Sequence, residues 1–205
     1  MYSNISWLSD KYVSNSFCIF AKYYLMVLAL FGALGSAKAE ALSIKLSGNF
    51  SLGTAESFQQ SLTPEIDTVL LDVSGGYLAE GIAIGRIIRR RNLRVVVPEG
   101  AVCYSACAEA FLGGTRKQIN GVLAFHVPRV ESASSKRQAF RYGLAGGTVT
   151  AIYRYEMGYG FGLTRDINQW TSENTMLAFR DIEALESYRD TNRASTLPTL
   201  IRAQR

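Results

Sequence analysis

Residues Leu93–Gly114 read LRVVVPEGAVCYSACAEAFLGG, and this stretch decides the fold class. Its first part, Leu93–Gly100, is a nearly continuous apolar run that ends around Pro98, which is typical of a strand buried on both faces. Its last part, Ser105–Gly114, is rich in small and apolar residues and ends at a glycine pair, as helices commonly do. A buried strand followed by a helix predicts one unit of an α/β fold.

The same alternation continues on both sides of this stretch. We predict further strands at Ala41–Gly48, Asp67–Val73, Gly121–Pro128 and Thr175–Ala178. We predict further helices at Thr54–Leu62, Tyr77–Arg91, Ser134–Gly158, Thr164–Thr171 and Arg180–Tyr188. Strands and helices that alternate in this way indicate an α/β fold with a largely parallel sheet covered by helices.

The composition narrows the choice of function. The chain has 205 residues, 48% of them hydrophobic, which is enough for one domain of ordinary size. The net charge of +5 is a mild excess, and no long basic run with interleaved aromatics is present, so nucleic acid is not an expected partner. A single histidine and two cysteines around a helix start do not form a closed zinc set, so we expect no metal and no other cofactor.

The N-terminus has the layout of a secretory signal. Lys22 precedes the apolar run Tyr23–Leu34, and the small-residue sequence AKA ends at Ala39, where we expect cleavage. A retained membrane anchor is the alternative, because the apolar run can be extended backwards toward spanning length. Either arrangement predicts a domain that is periplasmic, secreted, or anchored in the inner membrane facing the periplasm.

These features divide the chain into three parts. Residues 1–39 are the predicted signal peptide or anchor, residues 40–188 the predicted α/β domain, and residues 189–205 a polar, basic tail that we expect to be loosely ordered.

Three features with possible chemistry fall at the carboxyl ends of predicted strands, where α/β sheets form their sites. They are the pair Gly75–Gly76, Ser105 and His126. Ser105 opens a helix and is either an N-cap or a nucleophile, which needs a base to remove its proton. His126 is the only histidine in the chain and ends an apolar strand, so it is either a buried core histidine or that base.

The glycines and the helix start can supply an oxyanion hole. Taken alone, the pair Gly75–Gly76 is a strand-to-helix turn, but beside Ser105 it offers an N–H donor to a developing negative charge. The N–H of Ala106, at the start of the helix, offers a second donor.

Cys103 and Cys107 flank Ser105 and allow three interpretations. An even pair in an exported chain can form a disulfide, or the two thiols can simply pack in the core. On a regular helix their spacing puts the two Cα atoms near the upper end of the range for a disulfide. The third and weakest hypothesis makes one of them the nucleophile.

The ordered motifs LLDVSGGYLAEG, VVPEGAVCYSACAEAFLGG and GVLAFHVPR resemble the Clp protease proteolytic subunit family (ClpP), within the ClpP/crotonase superfamily. The likeness covers roughly Ile66–Arg129. More narrowly, the sequence is similar to exported ClpP-like proteins of bacteria that carry a CxSAC sequence. It implies the ββα spiral of that superfamily. It also implies that Ser105 is the nucleophile, His126 the base, and Gly76 and Ala106 the oxyanion donors.

The third catalytic residue of the family is an aspartate late in the chain, and here the pattern departs from it. The nearest match in TSENTMLAFRD is Asn174, which can orient an imidazole but cannot stabilise its charged form by charge. Glu173, Asp166 and Asp181 are the alternatives.

The resemblance predicts an exported serine hydrolase, a peptidase that forms an acyl-enzyme. Cytoplasmic relatives work with an ATP-driven unfoldase, a partner that does not exist outside the cytoplasm, so we expect peptides or unfolded proteins as substrates. The alternative is a catalytically weak or inactive ClpP-like fold used for assembly or binding. A homo-oligomer and membrane association through the N-terminal apolar segment are further expectations.

Overall fold

The computed structural model describes residues 42–128, 135–172, 174–189 and 199–202. In these ranges eight strands form: β1 Leu42–Phe50, β2 Ile66–Gly76, β3 Arg94–Val97, β4 Val102–Tyr104, β5 Arg116–Ile119, β6 Val122–Phe125, β7 Thr175–Phe179 and β8 Thr199–Arg202. The α-helices of the same ranges are α1 Thr54–Ser61, α2 Leu78–Arg90, α3 Ala106–Leu112, α4 Lys136–Glu156, α5 Phe161–Trp170 and α6 Ile182–Glu186, and a 3-10 turn follows at Ser187–Arg189.

The eight strands form one sheet, in the order β5-β3-β2-β4-β6-β7-β8, with β1 on the other edge of β2. All pairings from β1 to β6 are parallel, and only β7 and β8 run antiparallel to their neighbours. The predicted α/β fold with a largely parallel sheet is therefore confirmed.

Strand β2 organises the sheet because it is eleven residues long and has three partners. One edge pairs with β1 along its whole length. On the other edge its first half, Thr68–Leu70, pairs with β3, and its second half pairs with β4 through Val73 and Cys103. The strands β4 and β6 thus continue the sheet beyond the point where β3 ends, and their carboxyl ends lie near the end of β2.

The apolar runs seen in the sequence bury both faces of this part of the sheet. Cys103, Leu123 and Phe125 belong to the large core that the helices cover. Tyr104 and Ala124, which alternate with them, belong to a second, smaller cluster with strand β7. Because successive side chains of a strand point to opposite faces, a one-residue slip would exchange these two sets.

Helices α2 and α3 pack at backbone contact because glycines line their interface. A Cβ atom built on Gly81 would lie 2.1 Å from the carbonyl oxygen of Ala106, and one on Gly113 would lie 2.0 Å from the carbonyl oxygen of Gly85. Ala106 directly follows Ser105, so the packing of α2 sets the position of the first turn of α3.

We expect Gly81→Ala to destabilise the protein by about 1–3 kcal/mol, the usual cost of overpacking, because the new methyl group meets backbone rather than a flexible side chain. Gly147→Ala, in the middle of α4, is the matched control, since its Cβ has no neighbour within 4 Å. Alanine there should raise stability by roughly 0.5–1 kcal/mol. Urea unfolding of both variants measures the difference, and equal effects would contradict this packing.

A buried cation supports the outer strand β5. The Lys117 side chain is 3% exposed, its ammonium lies 3.4 Å from Glu186 Oε1, and it sits 5.6 Å from the ring centre of Tyr159. Burial lowers the pKa of Lys117 from 10.5 to about 8, although the negative charge of Glu186 opposes that change.

The free energy of unfolding should rise between pH 8 and pH 10. In this window the unfolded chain keeps the Lys117 proton and the folded chain has released it, so unfolding takes up a proton and becomes less favourable as pH rises. The slope from one such group is at most about 1.4 kcal/mol per pH unit. Urea unfolding at several pH values measures it. In Lys117→Met the free energy of unfolding should rise less steeply with pH. An equally steep rise in that variant would mean that another titratable group causes it.

Several elements differ from the sequence prediction. The strands β4 and β5 were not predicted, because β4 has only three residues and β5, with the sequence RKQI, has no apolar alternation. The tail expected to be loosely ordered contributes β8, whose Thr199–Arg202 pairs with β7. The predicted signal peptide or anchor lies outside the described residues. In the part of the chain that the structure describes, no helix is long and apolar enough to cross a membrane.

Candidate active site

Ser105 lies at a sharp turn between β4 and α3. Its φ of 56° and ψ of −117° are rare for a residue other than glycine, and its side chain makes no capping hydrogen bond to α3. The N-cap interpretation therefore does not account for this serine. A strained serine on a strand-to-helix turn is the backbone arrangement of nucleophile elbows, in which the hydroxyl is presented at the end of the sheet.

A disulfide closes this turn. Cys103 on β4 and Cys107 on α3 are joined, with an S–S distance of 2.03 Å and Cα atoms 5.1 Å apart, and both residues are fully buried. The estimate for a regular helix does not apply, because Cys103 lies on a strand and the chain turns at Ser105. In this bonded state neither sulfur is a thiolate, so neither cysteine can be the nucleophile.

Loss of the disulfide should lower stability by about 2 kcal/mol, the chain-entropy value for a loop of five residues. The double variant Cys103→Ala/Cys107→Ala should melt at a lower temperature than the oxidised protein. Thiol titration of the oxidised, denatured full chain should detect Cys18 alone. Three titratable thiols in protein purified without reductant would contradict the bond.

His126 follows β6, next to the serine turn. The N–H of Ser105 donates to the carbonyl oxygen of Ala124 at 2.9 Å, and Tyr104 pairs with Ala124 in the parallel register of β4 and β6. Because neighbouring strands lie about 4.8 Å apart, this register brings the backbones of Ser105 and His126 to adjoining strand ends. Both residues are half-buried.

The ring of His126 has a defined contact on one nitrogen. Nδ1 lies 2.6 Å from the carbonyl oxygen of Val127. A carbonyl oxygen can only accept, so this hydrogen bond requires the proton on Nδ1, and a neutral ring then has its acceptor lone pair on Nε2. That is the tautomer in which a histidine can accept a proton from a serine hydroxyl.

The backbone of the glycine pair passes close to Ser105. A Cβ on Gly75 would lie 3.2 Å from Ser105 Cβ and 3.7 Å from Ser105 Oγ, so this backbone passes directly beside the hydroxyl. Gly76, with φ of 123°, passes against the backbone of Phe50, where a Cβ would lie 2.2 Å from the carbonyl oxygen. Both positions therefore need glycine, for conformation and for space.

Ala106 is the first residue of α3 and is buried. The first N–H groups of a helix have no partner within the helix, and the helix dipole makes that end favourable for negative charge. The N–H of Ala106 therefore has the character that an oxyanion donor requires, one residue after the serine.

The candidates for the third catalytic residue are separated by the structure. Phe125 pairs with Leu177 in the antiparallel register of β6 and β7, so the start of β7 lies beside the His126 end of β6. Asn174 lies in the tight turn that precedes β7 and is exposed, and its N–H donates to Ser172 Oγ at 3.2 Å. Glu173 lies outside the described residues.

Asp181 and Asp166 have other roles. Asp181 lies beyond the far end of β7 and caps α6, where its Oδ1 accepts from the N–H of Ala184 at 2.7 Å. Asp166 is buried in α5 and accepts from the hydroxyl of Tyr188 at 2.9 Å. The Tyr188 ring packs edge-on against Phe179, again at the end of β7 away from His126. These contacts of the two aspartates therefore lie toward α6 and Tyr188.

A buried ion pair joins α3, the helix that follows Ser105, to α4. Glu109 of α3 accepts from Nε and Nη2 of Arg154 of α4, and both side chains are almost fully buried. The Arg154 guanidinium also lies 5.7 Å from the ring centre of Phe125, the residue before His126. Tyr153 adds a hydrogen bond from its hydroxyl to the carbonyl oxygen of Glu109 at 2.9 Å.

The sequence analysis missed this pair and also Thr171. Thr171 follows α5, accepts a hydrogen bond at 3.1 Å from the N–H of Val127, and donates to the carbonyl oxygen of Ile167 at 2.7 Å. A threonine at a helix end is common, so the sequence gave no indication that Thr171 belongs to the site. The charges of Glu109 and Arg154 inside apolar stretches were the available signal for the ion pair.

Among the described residues no group of three or more histidines, cysteines, aspartates or glutamates is placed to hold a metal ion.

Comparison with solved structures finds the fold of the ClpP proteases. A mutant of ClpP1 from Listeria monocytogenes matches with a TM-score of 0.55 and 16% identity, over 72% of this chain and 87% of that one. The catalytic domain of the ClpP protease from Plasmodium falciparum matches with a TM-score of 0.51 and 14% identity, over 77% and 87%. No protein-family model and no curated protein matches the sequence. The chain therefore has a ClpP-like fold.

Proposed function

We propose that the protein is an exported serine hydrolase, a ClpP-like peptidase that acts without an ATPase. The observation that carries the proposal is the turn at Ser105. A non-glycine residue with positive φ, closed by a disulfide and hydrogen-bonded to the strand that leads to the only histidine, is a costly arrangement to maintain. A serine that only began a helix would not need it.

The proposed reaction forms and hydrolyses an acyl-enzyme. Ser105 Oγ attacks the carbonyl carbon of the substrate while its proton passes to Nε2 of His126. The N–H groups of Gly76 and Ala106 stabilise the oxyanion. When the C–N bond breaks, the proton on Nε2 goes to the leaving amine. Water then attacks the ester, gives a proton to Nε2, and releases the acid as Ser105 regains its proton.

An apolar groove beside His126 supports a peptide as the substrate. It has a volume of about 700 Å³, begins at Val127 and Pro128, and is lined by α4 and α5. Its side chains include Leu144, Ile152 and Phe161. Without an unfoldase, the substrates that could reach the site are peptides and flexible or unfolded segments of proteins.

A non-catalytic role in assembly or binding is the second candidate, because the same region is unusually apolar at its surface. Phe140, Leu144, Ile152, Tyr155 and Phe161 are between 56% and 73% exposed. Exposed apolar patches of this kind commonly mark sites of protein association. The exposed position of Asn174, on a turn, also favours a weak or absent triad.

Labelling with a fluorophosphonate probe distinguishes the two candidates. We expect a single adduct on Ser105, located by mass spectrometry, that is absent in Ser105→Ala and reduced at least a hundredfold in rate in His126→Ala, since general base catalysis contributes about 10²–10⁴. The control is Ser57→Ala, which removes an exposed serine of helix α1 that is distant from Ser105 in sequence. In this variant Ser105 should be labelled at the normal rate.

The structural state of each variant is checked by its thermal midpoint. If the folded wild-type protein, with its disulfide intact, is not labelled, the hydrolase proposal is wrong and the binding role remains. An adduct on another serine would move the site away from the turn at Ser105.

A further inference from the structure

We propose that the backbone carbonyl of Val127 orients the ring of His126 and that Thr171 positions this carbonyl. In this arrangement the carbonyl oxygen accepts a hydrogen bond from Nδ1 of His126 and keeps the proton on that nitrogen. Thr171 touches neither substrate nor the reacting atoms, so it is a positioning residue. The inference rests on the proposed function, because it assigns a role within the same site.

Two hydrogen bonds carry the proposal, and they share one residue. The ring of His126 donates from Nδ1 to the carbonyl oxygen of Val127 at 2.6 Å, and the N–H of Val127 donates to Thr171 Oγ1 at 3.1 Å. The Thr171 hydroxyl in turn donates to the carbonyl oxygen of Ile167 at 2.7 Å. The last turn of α5 is thus connected to the histidine ring through one residue of main chain.

The next residue restricts the same carbonyl from the other side. Pro128 follows Val127, and a residue before proline is confined largely to extended conformations. With its N–H held by Thr171 and its ψ restricted by Pro128, Val127 has little freedom to rotate its carbonyl away from His126. The sequence His-Val-Pro at this strand end therefore has a physical reason that the histidine alone does not supply.

A carbonyl can perform part of the work of an aspartate. It fixes the tautomer and the orientation of the imidazole, which are the main contributions of the third residue to a triad. It carries no negative charge and stabilises the imidazolium less.

The single histidine makes the test direct, because a 15N spectrum of histidine-labelled full-length protein contains signals from His126 alone. With the ring neutral, we expect Nδ1 to carry the proton and Nε2 to be the bare nitrogen. In Thr171→Val, which keeps the shape and removes the hydroxyl, the Nδ1–H population should fall. The rate of fluorophosphonate labelling should fall about fivefold to tenfold, the effect of losing one hydrogen bond.

Thr171→Ser is the matched control, since it restores the hydroxyl and should restore both the tautomer and the rate. A variant that merely destabilised the fold would change the thermal midpoint without this rescue. Should Thr171→Val not fold, the spectra of the wild type, Glu173→Gln and Asn174→Ala still decide. A tautomer that changes in either of the last two would assign the third position to that side chain and overturn the proposal.

Failure of this inference is distinct from failure of the proposed function. A wild-type protein that labels at Ser105 but carries the proton on Nε2 would overturn the role of Val127 and Thr171 alone. A protein with Nδ1–H that Thr171→Val removes, but with no labelling, would overturn the hydrolase and with it the catalytic meaning of the arrangement.

Discussion

The ion pair between Glu109 and Arg154 is the interaction on which the geometry of the site depends. It joins α3, which begins directly after Ser105, to α4, and the guanidinium also lies against Phe125, next to His126. Two charges removed from water are expensive, and breaking such a pair by truncating one partner commonly costs about 3–5 kcal/mol. The pair therefore tolerates few alternative packings of α3 against α4, and Arg154 extends this contact to Phe125 of β6.

Around this pair, close backbone packing and a disulfide fix the position of Ser105. Gly81 and Gly113 let α2 approach α3 to backbone contact, and Gly75 passes beside the Ser105 side chain. The disulfide then closes the turn itself. Positive φ at a serine persists only where its surroundings over-determine it, and here a sheet hydrogen bond, a covalent bond and a helix packed at close range do so together.

The sequence was sufficient for the elements with strong patterns. The buried run of β2, the amphipathic α2 and the strand ending at His126 were predicted because apolar periodicity and glycine positions are local signals. The polar sequence of β5 hid a strand whose stability comes from its pairing with β3. The geometry of the cysteine pair was misjudged because the chain leaves the strand only at Ser105, a conformation that no propensity indicates for serine.

The sequence predicted only those residues of the candidate site whose type indicates a chemical role. Ser105, His126 and the glycine pair stand out by kind and by position at strand ends. Val127 contributes through its main chain and Thr171 acts across 44 residues of sequence, so neither can be recognised from composition. Glu109 and Arg154 are likewise 45 residues apart, and their pairing follows from the packing of two helices rather than from any motif.

The two strands that end the main path of the sheet, β5 and β8, are both four residues long and carry exposed basic side chains, Arg116 on one and Arg202 on the other. Short, charged margins of this kind resist annealing to the backbone of a neighbouring molecule. Fibre-like growth by adding strands at these margins is therefore disfavoured, even in a crowded compartment. Among the described strands, the nine-residue β1 is the other edge, so backbone pairing between copies of this chain that avoids β5 and β8 is left to β1.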